Sequence, residues 1–312
     1  MLSRRLLRIK AVKGLYAHFK SDSDSLTVSE NNMIAGVDKT YDLYQQMLWL
    51  IVDVMRYGEN RMELARNKKL PTEADLNPNT KFIDNLPIRQ IETSPKLTSY
   101  LERKRLGWRE FPELIKNPYN SLIQSDDYKQ YMSNADRSYR EDAKLVEDFY
   151  LNEVDDNQQV ADAIEEQSIL WADDMDFAVI LAMKTINNSR KGQPDLPILS
   201  KYKNEDDKMF VRELFRKSVV NYNEYLSYIE KFTQNWDVER IAFMDNIIMA
   251  TAIAELVTFD SIPVKVTLDE YIEISKFYST NGSSHFVNGV LDKVIEVLTE
   301  EGRIKQAGRG LL

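Results

Sequence analysis

Six cationic side chains, Arg4, Arg5, Arg8, Lys10, Lys13 and Lys20, stand in the first twenty residues without one Asp or Glu among them. That clustering suits one chemistry, an electrostatic grip on a phosphate chain. The 312-residue chain has a formal charge of −9, so the residues beyond the first twenty carry the balance of −15. The overall field excludes a generic nucleic-acid coat, but it leaves room for a local cationic end.

Other groupings suggest chemistry less well. Asp269, Glu270 and Glu273 have the spacing of paired carboxylates, but no His or Cys stands nearby to complete a metal or acid–base set. They read as a solvated helix face. With His18 and His285 as the only histidines and no cysteine, neither a zinc site nor a thiol nucleophile can be built. No glycine-rich phosphate loop is present, and Trp236 and the methionines read as core. We expect no catalytic residue, no metal and no cofactor.

The absence of cysteine excludes a disulfide framework and fits a reducing compartment, so the cytoplasm is the expected location. Lys10 and Lys13 interrupt the only stretch that could serve as a secretory core. The longest apolar run, Ile247–Val257, is too short for a bilayer and contains Glu255. No membrane span is expected.

These side chains must be positioned by helices. Apolar residues recur at three- and four-residue spacing almost throughout, and only ten glycines occur, so the expected fold class is all-α. The pattern predicts a first helix over 3–19, ended by the Ser/Asp run at 21–25, and a long second helix over 38–68. Residues 70–94, with Pro71, Pro78 and Pro87, read as irregular. Shorter helices are expected near 96–104, 109–116, 119–132, 137–153 and 156–189, the last broken near Gln167, with a further break at Gly192-Gln193-Pro194. Four closing helices are expected over 205–234, 238–258, 266–278 and 283–299. Asp237 opens the second of these, and Gly282-Ser283-Ser284 supplies the N-cap of the fourth.

Two separated blocks carry a resemblance. Ile262-Pro263-Val264-Lys265-Val266 leads through Asp269-Glu270, Glu273 and Ser275-Lys276 to Ser284-His285-Phe286-Val287-Asn288-Gly289-Val290-Leu291-Asp292-Lys293. This resembles the C-terminal signature of the NusB family of bacterial transcription antitermination factors. Arg4-Arg5-x-x-Arg8-x-x-Ala11-x-x-x-Leu15-Tyr16 resembles the start of the same family. Phe210-Val211-Arg212-Glu213-Leu214, Trp236, Arg240 and Ala252-x-x-Glu255-Leu256 follow the helices before the signature. The resemblance covers roughly 1–19 and 204–298. Residues 20–203 have no clear counterpart.

The resemblance implies a NusB-like bundle of two packed helical subdomains, with residues 1–19 as its first helix and 204–312 as its C-terminal helical domain. Residues 20–203 would be a large, mostly helical insertion. It further implies binding of boxA-like single-stranded RNA, mainly ribosomal, together with the ribosomal protein NusE in the transcription elongation complex. An RNA-methylating enzyme with a NusB-like domain fits poorly, since its cysteine and nucleotide-fold domain are missing. A non-catalytic helical scaffold that has lost RNA binding is the competing reading, with the tyrosine-rich acidic insertion as its protein-binding surface.

The candidate RNA-binding residues are Arg4, Arg5, Arg8, Lys10, Lys13 and Tyr16 on the first helix, with Lys276, Tyr278, His285, Phe286, Asn288 and Lys293 near the signature. Arg4 and Arg8 share the angular side of Val12 and Leu15, where an uncompensated charge cannot enter a core. The first turns are therefore expected to overhang the bundle, to fray, and to order on RNA; a solvated basic end is the plainer alternative. Lys10 and Lys13 are expected on the face opposite the buried stripe. Tyr16 and Phe286 each fall on an apolar stripe, so core packing and base stacking both fit them. Gly289 is read as a point of close helix approach.

Overall fold

The computed structural model describes residues 1–21, 25–193, 195–233 and 242–304. Trp236, Asp237 and Arg240, together with Pro194 and residues 22–24 of the Ser/Asp run, lie outside these. Every regular element among the described residues is helical, so the protein is all-α. None of these helices is long and apolar enough to cross a membrane.

The first two helices are α1 (Arg4–Lys20) and α2 (Leu26–Arg66). Eight more follow: α3 (Glu73–Leu76), α4 (Leu86–Glu92), α5 (Pro95–Lys104), α6 (Glu113–Gln124), α7 (Asp126–Ser133), α8 (Tyr139–Phe149), α9 (Gln158–Gln167) and α10 (Met175–Asn188). The closing five are α11 (Glu205–Val220), α12 (Tyr222–Thr233), α13 (Phe243–Thr258), α14 (Val264–Tyr278) and α15 (Ser283–Glu300). The chain divides into two compact units, one comprising Met1 and Asp38–Lys201, the other Leu2–Val37 and Tyr202–Leu312.

In the Asp38–Lys201 unit, α2 supplies the buried stripe Tyr44, Met47, Leu48, Ile51, Val52 and Met55. Two of its carbonyls take a second hydrogen bond from buried aromatic side chains: Trp108 Nε1 donates to Gln46 O at 2.9 Å and the Tyr150 hydroxyl to Met47 O at 2.8 Å. The segment expected to be irregular at 70–94 instead contains α3 and α4. Asn85 caps α4 by accepting from the Ile88 amide, and Pro87 sits in the first turn, where its missing N–H costs nothing. Burial of Phe82, Ile83, Ile88 and Ile91 then fixes the segment. Tyr119, Tyr128, Tyr131 and Tyr150 are buried too and Tyr139 is half-buried, so four of the five tyrosines that suggest a protein-binding surface are core residues.

In the other unit, α13 is apolar on nearly every side and packs against α1, α11, α12, α14 and α15. The single helix expected over 205–234 breaks at Asn221, whose side-chain amide donates to the Tyr225 hydroxyl. The N-cap of α15 is Gly282 at φ +90°, without a side-chain cap; the Ser283 hydroxyl reaches Asp245 instead. Helix α1 begins cleanly at Arg4 because the Ser3 hydroxyl accepts from the Leu6 amide.

Candidate nucleic-acid interface

The arginine-rich start of α1 neither overhangs nor lacks partners. Arg4 Nε donates to Asp207 at 2.9 Å, and its guanidinium lies 5.1 Å from the Phe210 ring. Arg5 holds Glu270 through two bonds of 2.8 and 2.9 Å. Arg8 is buried and binds Glu255 in the same two-pronged way, at 2.8 Å twice. The expected overhang and fraying are corrected by that partner, a carboxylate with no exposure of its own.

Glu255 is fully provided with donors. Thr267 Oγ1 donates to one oxygen at 2.8 Å and the Tyr271 hydroxyl to the other at 3.1 Å. A buried ion pair persists when its remaining lone pairs are satisfied in this manner. Burial works against the Arg8 charge, yet the bonds to Glu255 outweigh it and raise the guanidinium above its ordinary value. Burial first, and then the Glu255 carboxylate, hold Tyr271 protonated as a donor.

Further along α1 the surface changes character. Lys13 Nζ lies 5.2 Å from the centre of the Tyr278 ring, and Lys20 Nζ lies 4.4 Å from that of Phe243. Tyr16 meets Phe243 edge-on at 5.5 Å. From Arg5–Glu270 to Lys13–Tyr278, α1 and α14 each advance eight residues, so the two helices run in the same direction. The end of α14 then meets the starts of α13 and α15: buried Asp245 accepts from the Ser279 hydroxyl at 2.5 Å and from Ser283 at 3.0 Å.

This junction brings Lys13 to Tyr278 and adds Phe243 as the partner of Tyr16 and Lys20, while Lys276, bonded to Glu273, and Phe277 stand in the last turn of α14. Phe277 is 80% exposed. It stands in the row of exposed Val266 and half-buried Glu270 and Glu273, and not on the buried stripe of Thr267, Tyr271 and Ile274, a departure that the spacing alone carries. His285 is exposed in the first turn of α15, and Phe286 is half-buried.

The remaining candidates lie apart. Lys10 is buried, with its stem beside Gly36 of α2, which corrects its expected place on the exposed face. Asn288 donates to Asp292 at 3.3 Å, and Lys293 pairs with Glu296 at 2.9 Å. Lys293 stands about 12 Å beyond His285 along α15 at 1.5 Å per residue. A Cβ built on Gly289 would meet nothing within 4 Å, so that glycine is not a point of helix contact.

Two of the three carboxylates of α14 are engaged with cations, Glu270 with Arg5 and Glu273 with Lys276. The hydrogen bond from Lys276 lowers the Glu273 pKa below its ordinary range. Among the described residues no group of three His, Asp or Glu side chains is placed to hold a metal ion.

The model of the NusB family matches residues 172–296. That match begins upstream of residue 204, where the resemblance read from the sequence resumes, and it does not include helix α1. The transcription antitermination protein NusB of Salinibacter ruber is 43% identical over 103 residues, 33% of this chain and 64% of that one. The NusB of Chloroherpeton thalassium is 38% identical over 105 residues, 34% of this chain and 50% of its own. The chain thus spans less than two thirds of the length of these two relatives. No solved structure matches it. With the NusB of Natranaerobius thermophilus it shares 33% identity over 97 residues, 31% of this chain and 70% of that protein, and on this ground the chain belongs to the NusB family.

Proposed function

We propose that this protein is a transcription antitermination factor that holds a boxA-like single strand, chiefly of ribosomal RNA, together with the ribosomal protein NusE in the elongation complex. It acts by binding, without a catalytic step, in the cytoplasm. On this reading the insertion expected over 20–203 ends before residue 172, where the family match begins. The observation that carries the RNA assignment is the junction of α1, α13, α14 and α15, where lysines lie over aromatic rings and Phe277 projects into solvent. Unpaired bases stack on such rings while ammonium groups follow the phosphates.

Lys13, Tyr16, Lys20, Lys276, Phe277, Tyr278 and His285 form the centre of the proposed site. Arg4 and Arg5 keep partly exposed guanidiniums beside Asp207 and Glu270 and extend it along α1. Arg8 serves to seat the helix.

Titration with a boxA-like single strand tests the reading. Binding with a log–log salt slope of about −2 to −4 is expected, for some three to five phosphates. Failure to bind the strand in the presence of NusE would overturn it.

A further inference from the structure

A second cationic surface lies in the Asp38–Lys201 unit, at the end of α5. Arg103, Lys104, Arg105 and Arg109 fall within seven residues, and all four are exposed. Lys104 pairs with Asp42 at 3.2 Å. Among the described residues neither Arg103 nor Arg105 holds a carboxylate, Arg109 lies in the field of Asp53, and Glu102 and Glu110 flank the group. In a chain of pI about 5.0, three exposed guanidiniums and one ammonium gathered on a single turn form a local cationic surface.

The backbone supplies a second, independent observation. Arg105 ends α5 at φ +56° and ψ +44°, the left-handed conformation that glycine normally occupies at a helix end. The Leu106 amide bonds back to Leu101 O at 2.9 Å, completing the tight terminal turn. Gly107 stands two positions later, so a glycine is near at hand, yet an arginine takes the sterically costly place. Trp108, buried and bonded to Gln46 O, fixes the turn from below. Arg103 lies 5.3 Å from the Tyr100 ring. The turn is a rigid mount that presents guanidiniums.

We propose that the Arg103–Arg109 turn is a second RNA contact, which grips the phosphate backbone independently of base sequence. Planar guanidinium forks match phosphate oxygens, and a rigid mount keeps the ordering cost of binding low. This inference rests on the RNA-binding reading above and extends it to the unit outside most of the family match.

The test uses the full chain and an unstructured single-stranded RNA of about thirty nucleotides that contains the boxA-like element. The triple variant Arg103→Ala, Arg105→Gly, Arg109→Ala is expected to bind about tenfold more weakly at low salt, with a slope shallower by about two. Arg105→Gly alone should weaken binding about two- to threefold while leaving the melting temperature equal or higher, because glycine relieves the left-handed turn. A merely structural arginine would not show that opposition. If the parent protein binds the RNA and the triple variant binds it equally, this inference is overturned and the first reading stands. If the parent does not bind it, both fall.

Discussion

Arg8 and Glu255 lie 247 residues apart in the chain and meet inside the helical core through two parallel 2.8 Å hydrogen bonds. The pair joins α1 to α13, and Thr267 and Tyr271 add α14 to the same carboxylate. Three helices are therefore set in register by one buried charge network, and that register carries Lys13 to Tyr278.

Breaking the pair should cost far more than replacing it. Glu255→Leu or Arg8→Met alone leaves a buried charge without its partner, at about 3–5 kcal/mol each. The double variant removes both charges and should recover more than half of that loss, short of parental stability because the Thr267 and Tyr271 hydroxyls lose their acceptor. Urea denaturation of the four proteins measures the cycle. Simple additivity of the two losses would contradict the described network.

Helical spacing made α14 and α15 legible to within two residues, since each has a continuous buried stripe. It also placed Arg8 correctly on the inward side of α1. One helix's periodicity cannot show a counter-charge supplied by another helix, so an inward arginine on α1 predicts an overhang where Glu255 instead receives it. The same limit hid α4: prolines suggested irregular chain, while capping by Asn85 and burial of Ile88 and Ile91 decided for helix. Phe277 was legible in principle, because an aromatic in an exposed row is a departure from the amphipathic pattern.

Gly289 offers a stability gain. It lies inside α15 with open space where a Cβ would stand, so Gly289→Ala should stabilise the protein by roughly 0.5–1 kcal/mol through reduced chain entropy. Thermal melting reads the change. A lower melting temperature would show that the position is crowded after all.

Lys81 tests how the segment before α4 is held. The side chain is buried, and its ammonium donates to Tyr131 O at 2.7 Å and Asn134 O at 2.9 Å while lying 4.2 Å from the Tyr131 ring. Lys81→Met keeps most of the stem and strands two carbonyls, so a loss of about 2–3 kcal/mol is expected in chemical denaturation. A parental midpoint would mean that the two carbonyls find water without cost.

Stacking and charge at the α1–α14 junction should separate in a salt titration. Phe277 is so exposed that Phe277→Ala should leave folding stability within about 0.5 kcal/mol of the parent. Loss of a base-stacking ring should nevertheless weaken binding of the single strand by about 1–3 kcal/mol, at an unchanged salt slope. Lys20→Ala removes a cation and should do the reverse, with a smaller loss at moderate salt and a slope shallower by about 0.7. Isothermal titration at three or more salt concentrations gives both quantities for each variant. If Phe277→Ala binds like the parent at every salt concentration, the exposed ring is not a stacking platform, and the centre of the proposed site must shift toward Tyr16 and His285.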